Sequence, residues 1–173
     1  MSEFYVSQPA LSQNTRTLIK NSQGTPLFLM IGRFGTRGDV LSLYKMNGDL
    51  AASIKQTTFA PSASFDLYLG FEKVGSMRRI FNFPSDFYYI RQLNWAAVGN
   101  IPEHHYAIFH LHQKVMTMQE VLFSNGTYCE LSIQDDQDAP LCICVAAVLN
   151  YWVLNRKKNF LKLGYRALHL DPL

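Results

Sequence analysis

The sequence predicts a mainly β fold with one buried helix near its end, and three observations carry that reading. Short runs rich in aromatic and β-branched residues recur through most of the chain, separated by turn chemistry at roughly 8–12-residue intervals, the rhythm of a sandwich or barrel. Aromatic residues make up 13% of the 173 residues, with twelve Phe and nine Tyr, a bias that suits pleated, half-buried surfaces. One stretch, Ala139 to Leu154 (APLCICVAAVLNYWVL), breaks the pattern by being apolar on every side.

The strand candidates follow in chain order. Arg16–Lys20 precedes the turn Ser22-Gln23-Gly24, and Pro26–Arg33 leads into the glycine-rich bend Gly35-Thr36-Arg37-Gly38. Asp39–Lys45 and Asp49–Gln56 flank Asn47-Gly48, a pair that predicts a type I′ hairpin. Leu50, Ala52 and Ile54 share one face there, and in Ser64–Leu69 the residues Phe65, Leu67 and Leu69 alternate inward. Ser76–Phe83, Phe87–Leu93, Tyr106–Leu111 and Lys114–Phe123 continue the series. Asn125-Gly126 is a second type I′ signal, leading into Thr127–Ile133 with Cys129, Leu131 and Ile133 on the inner face. About a dozen strands are expected, with no linker or low-complexity tract dividing them.

The apolar stretch reads as a helix. Asp135, Asp136 and Asp138 precede Pro140, and carboxylates ahead of a first-turn proline suit free amides and the helix dipole. A helix over 139–154 is about 24 Å long, short of the roughly 20 apolar residues a membrane span needs. A helix apolar all round must be buried, and in a chain of strands the available place is inside the sheet, with a short membrane anchor as the rival reading. Cys142, Cys144, Ala146 and Ala147 are slender enough to pack closely there.

Taken together, the run Tyr128-Cys129-Glu130-Leu131-Ser132-Ile133, then Asp135-Asp136, then the apolar helix, resembles the carboxy-terminal signature of the LURP-one-related proteins of the tubby C-terminal-like superfamily. Asn47-Gly48-Asp49-Leu50 with Ile54-Lys55-Gln56 and Phe65-Asp66-Leu67-Tyr68 resembles it too, as does Trp95 with Val98-Gly99-Asn100 and Tyr106-Ala107-Ile108. The resemblance spans residues 4–155. It implies a closed antiparallel barrel of about twelve strands around one central hydrophobic helix. By this division residues 1–155 form the barrel with its helix at 139–154, and 156–173 form a basic C-terminal extension of the same domain. Tubby proteins bind phosphoinositides through basic side chains, and related scramblases act at membranes. No residue-by-residue match to the tubby phosphoinositide site is present.

The residues themselves exclude more functions than they assign. A net charge of +3 is too mild for nucleic-acid binding. Three cysteines, Cys129, Cys142 and Cys144, do not make a disulfide framework. Two positions apart on a helix, Cys142 and Cys144 point nearly opposite ways, so both read as small buried hydrophobes. The N-terminus shows no basic region followed by an apolar run. A cytoplasmic protein, at most peripheral to a membrane and without a transmembrane segment, is the expectation. Within Glu103–His112, His104, His110 and His112 would share an outer strand face while Ala107, Phe109 and Leu111 point inward. Only two zinc ligands are placed by that arrangement, so no metal site is expected. Gly70–Ser76 has the glycine spacing of a phosphate loop without its lysine, and reads as a hairpin loop. No nucleophile elbow or activated thiol is present, so neither catalytic residues nor cofactors are expected.

Basic side chains are the remaining candidates. Lys73, Arg78, Arg79 and Arg91 form a loose set at mid-chain; Arg156, Lys157, Lys158, Lys162 and Arg166 follow the helix, interleaved with Phe160, Leu161, Leu163 and Tyr165. Mixed basic and apolar residues suit an anionic membrane surface, while positive charge past a helix C-terminus also favours the dipole. The expected lipid-contacting residues are Lys73, Arg78, Arg79, Arg156, Lys157, Lys158 and Lys162. The leading expectation is a non-catalytic binding module for anionic phospholipid, phosphoinositide or a protein partner. The alternatives are a structural or protein-interaction domain without lipid affinity and, more weakly, a small-ligand carrier or enzyme.

Overall fold

The computed structural model of the chain describes residues 1–7, 16–58, 64–81 and 87–167, the side chains at 81 and 154–167 excepted. The strands are β1 (Ser2–Ser7), β2 (Thr17–Asn21), β3 (Pro26–Gly32), β4 (Val40–Lys45), β5 (Leu50–Gln56) and β6 (Ser64–Leu69). They continue as β7 (Glu72–Phe81), β8 (Phe87–Arg91), β9 (Trp95–Asn100), β10 (His105–His110), β11 (Gln113–Phe123) and β12 (Gly126–Ile133). A helix, α1 (Ala139–Ala167), follows. Each strand pairs antiparallel with its sequence neighbours, and β1 pairs with β12 from Ser2↔Ile133 to Ser7↔Tyr128, closing the barrel.

Closure is driven by what the strands enclose. Inward positions carry Ile19, Leu43, Ile54, Phe65, Leu67, Met77, Ile90, Ile108, Met116 and Leu131, each at 0% exposure. Every residue from Ala139 to Asn150 is buried, so α1 fills the lumen. A helix as short as the buried segment 139–150 is marginal alone in water; fully burying a Val, Leu or Ile side chain is worth about 1.5–3 kcal/mol, and this segment offers such groups on all sides. The barrel and the helix therefore need each other. Where α1 leaves the lumen, Tyr151 meets Phe34 (5.5 Å between ring centres), and Trp152 meets Phe65 edge-on (5.1 Å) and stacks on Tyr88 (4.7 Å). These rings plug the exit.

Several sequence expectations change. Strands β1 and β9 lie outside the candidate runs; β1 is the strand that closes the barrel. Neither Asn-Gly turn is type I′, because Gly48 and Gly126 have positive φ but their asparagines do not. At Asn47-Gly48 the Gly48 N–H donates to the Lys45 carbonyl (2.9 Å) and the Lys45 N–H to the Asp49 carbonyl (2.8 Å), a turn followed by a left-handed glycine. Of the Gly70–Ser76 loop only Gly70-Phe71 turns; β7 begins at Glu72. Leu69 is 44% exposed rather than inward, beyond a bulge at Leu67/Tyr68.

The histidine strand runs in the opposite phase. Tyr106 and Ile108 face inward, Leu111 is 73% exposed, and His104 is buried. A 3-10 turn over Ile101–Glu103 ends with His104 in the left-handed conformation (φ 54°), which turns it inside. Ahead of α1, the Asp135 carboxylate accepts the Gln137 N–H (3.0 Å), holding the preceding turn, and the Asp138 carbonyl accepts the first helical bond from Cys142 N–H (3.0 Å). Among the described residues no carboxylate caps a helix amide directly. The helix also passes the 155/156 boundary unbroken and continues to Ala167.

Candidate functional site

The mid-chain basic set divides by strand geometry. Consecutive strand residues point to opposite faces, so Arg78 and Arg79 cannot act together. Arg78 is exposed on the outer face, whereas Arg79 turns toward the plugged exit, its guanidinium 6.0 Å from the centre of the buried Tyr88 ring. Lys73 is held by Asp66, Nζ to Oδ2 at 2.7 Å. The other oxygen of Asp66 accepts the Ser76 hydroxyl at 2.7 Å. An exposed pair of this kind adds little stability, but it neutralises the lysine.

Register brings a different partner to Arg78. In the β7–β8 ladder Arg78 pairs with Tyr89 and Ser76 with Arg91, placing both arginines on one outer surface. Between them lies a groove of about 180 Å³ lined by Ser76, Arg78, Ile80, Tyr89, Arg91 and Gln92. Its shape is held by the Ser76 N–H donating to Gln92 Oε1 (3.2 Å) and the Tyr89 hydroxyl donating to Asn94 Oδ1 (2.8 Å). Gln92 and Asn94 both adopt positive φ, 70° and 52°, in the tight turn that sets Gln92 against β7. Among the described residues neither Arg78 nor Arg91 has an acidic partner. Two guanidiniums on one outer surface have the chemistry to hold an anion, since the planar fork matches phosphate oxygens. Sequence reading placed Arg91 near this set by number alone; the signal that identifies it is the Ser76↔Arg91 pairing.

The expected residues Arg156, Lys157, Lys158 and Lys162 fall on the helical continuation of α1, and their side chains lie outside the described residues. The thiols fit an inert role. All three cysteines are free and buried. Burial pushes Cys144 up to about 12 and Cys129, with the Glu120 charge adding, up to about 12; burial also raises Cys142. Among the described residues no cluster of three or more His, Cys, Asp or Glu side chains could hold a metal ion. Among the same residues, no helix is long and apolar enough to cross a membrane.

The chain is 23% identical over 155 residues to the uncharacterized protein YxjI of Bacillus subtilis, covering 90% of this chain and 96% of that one. An X-ray structure of a protein from Arabidopsis thaliana superposes with a TM-score of 0.56 at 10% identity, over 89% of this chain and 91% of that one. That likeness is one of fold. No protein-family model matches the chain.

Proposed function

We propose that this protein is a non-catalytic binding module of the LURP-one-related, tubby C-terminal-like kind that meets anionic phospholipid through its outer surface. The observation that carries the reading is that the Arg78↔Tyr89 and Ser76↔Arg91 pairs set Arg78 and Arg91 on one outer face beside the groove, free of acidic partners among the described residues. The filled lumen supports it by subtraction, since a carrier of the usual barrel type holds its ligand where α1 stands. Two cations give modest attraction, screened over about 8 Å at physiological salt, so the contact is reversible and salt-sensitive.

Flotation with phosphatidylcholine vesicles, with and without phosphatidylserine, tests this directly. At low salt the protein is expected to float with the anionic vesicles only, and raised salt should release it. Joint substitution Arg78→Glu and Arg91→Glu should cut the floated fraction several-fold, while Lys73→Glu should change it less because Lys73 is already neutralised. Indifference of the wild type to anionic vesicles at low salt, or unchanged flotation of the double variant, would refute the reading. Loss of flotation on Lys157→Glu, Lys158→Glu and Lys162→Glu alone would move the contact to the continuation of α1.

A further inference from the structure

A second surface, separated from the groove by β5 and β6, has a different chemistry. On the outer side of β3 and β4, a depression of about 540 Å³ is lined by Arg16, Ile31, Gly32, Arg33, Gly38, Asp39 and Val40. Its floor is apolar and open to water: Ile31 is 41% and Val40 38% exposed. The glycine between the strands is obligatory. Gly32 sits at φ 138°, and a Cβ there would lie 2.2 Å from the Val40 carbonyl oxygen, so no side chain can fill the space between Ile31 and Arg33.

The rim is charged and preorganised. Arg33 Nε contacts Asp39 Oδ1 at 3.2 Å, and the guanidinium side chain remains 69% exposed. Asp39 Oδ2 accepts the Thr36 N–H (2.9 Å), a hydrogen bond that leads in holding this carboxyl below its usual range and so ionised. Buried Gln56 fixes the loop from below: its N–H donates to the Asp39 carbonyl (2.8 Å), its carbonyl accepts Gly38 N–H (2.8 Å), and its Oε1 accepts Gly35 N–H (3.1 Å). Phe34 anchors the loop in the core, edge-on to Phe65 at 5.4 Å. Asp39 offsets Arg33 as Asp66 offsets Lys73, but the lining also holds Arg16, and exposed Arg37 lies in the same loop, so the rim keeps a net positive charge.

We infer that this depression binds an anionic amphiphile, its carboxylate, sulfonate or phosphate head against Arg16 and Arg33 and its apolar body over Ile31, Gly32 and Val40. The depression is open rather than enclosed, and like small-molecule sites it combines an apolar floor with a few placed polar groups. A loop already ordered by Gln56 and Asp39 loses little freedom on binding, which favours affinity. This site stands apart from the Arg78–Arg91 groove and from the lipid reading.

The probe is 1-anilinonaphthalene-8-sulfonate, an anionic aromatic amphiphile whose fluorescence rises in apolar surroundings. Native protein is expected to enhance it saturably. Laurate below its micelle concentration should displace the probe, and uncharged dodecanol should not. Joint substitution Arg16→Gln and Arg33→Gln should weaken probe binding about tenfold or more, the loss of at least one charge-assisted hydrogen bond, and Val40→Trp should abolish it by occupying the floor with the charges intact. Circular dichroism establishes that each variant is folded, and Val40→Trp keeps the question answerable if the arginine variant does not fold. Arg78→Glu with Arg91→Glu should leave probe binding unchanged. Displacement by phosphatidylserine vesicles but not by laurate would assign the head group to a lipid surface instead of a free amphiphile and overturn the small-molecule site. No enhancement, equal displacement by dodecanol and laurate, or full binding by a folded Arg16→Gln/Arg33→Gln variant would also overturn it.

Discussion

At Gly32 a single missing side chain lets two strands approach within contact distance. Because its φ of 138° and the 2.2 Å clash with the Val40 carbonyl act together, Gly32→Ala is expected to destabilise the fold by about 2–3 kcal/mol. Chemical denaturation measures that directly, and a change below about 0.5 kcal/mol, the scale of an ordinary surface substitution, would contradict it. Asn150 makes the opposite case. It is 1% exposed in the middle of an apolar core, and among the described residues neither its Nδ2 nor its Oδ1 has a hydrogen-bond partner. Leaving a buried polar group unsatisfied costs about 1–3 kcal/mol, so Asn150→Leu should raise the denaturation midpoint. A lower midpoint would mean that the amide makes an interaction the core depends on. Residue-level logic also divides the basic set: adjacent Arg78 and Arg79 reach opposite faces, whereas Arg78 and Arg91, far apart in sequence, share one.

At the scale of elements, legibility followed the strength of the periodic signal. Strand β6 (Ser64–Leu69) and the start of α1 at Ala139 match their expected limits, because alternation and a proline-marked helix entry are local patterns. Strands β1 and β9 were missed for physical reasons. In β1 the inward residues are only Phe4 and Val6; in β9 the inward side shows Trp95 and small Ala97, and Gly99 interrupts the run. Such segments become strands through pairing with neighbours, not by their own pattern. Both Asn-Gly turns were recognised as turns, while their type depended on backbone angles that the dipeptide alone does not settle. The histidine strand was read one residue out of phase, and a one-residue slip exchanges every inner and outer side chain. The correct phase is set by the 3-10 turn at Ile101–Glu103, which buries Ile101 and His104 ahead of β10.

For the whole molecule, the decisive inference was that a uniformly apolar helix among strands must stand inside them, and α1 does so from Ala139 to Asn150. The candidate site was much less legible. Cross-strand pairing, not sequence proximity, selects Arg91 over Arg79, and it leaves Lys73 neutralised by Asp66. Likewise the depression at Ile31, Gly32 and Val40 joins two strands and a loop whose shared outer face no local motif announces. Both proposed surfaces rest on one claim: that the lumen is closed by a fixed helix, which leaves the outside for any ligand. The three buried thiols report on that claim, because Cys129 faces the lumen from the barrel wall while Cys142 and Cys144 ride on α1. Reaction of the native protein with the thiol reagent 5,5′-dithiobis(2-nitrobenzoate) measures their access. The expected result is no rapid reaction at any of the three until denaturant unfolds the barrel; prompt modification of Cys142 or Cys144 in the folded protein would mean that the helix leaves the lumen or never closes it.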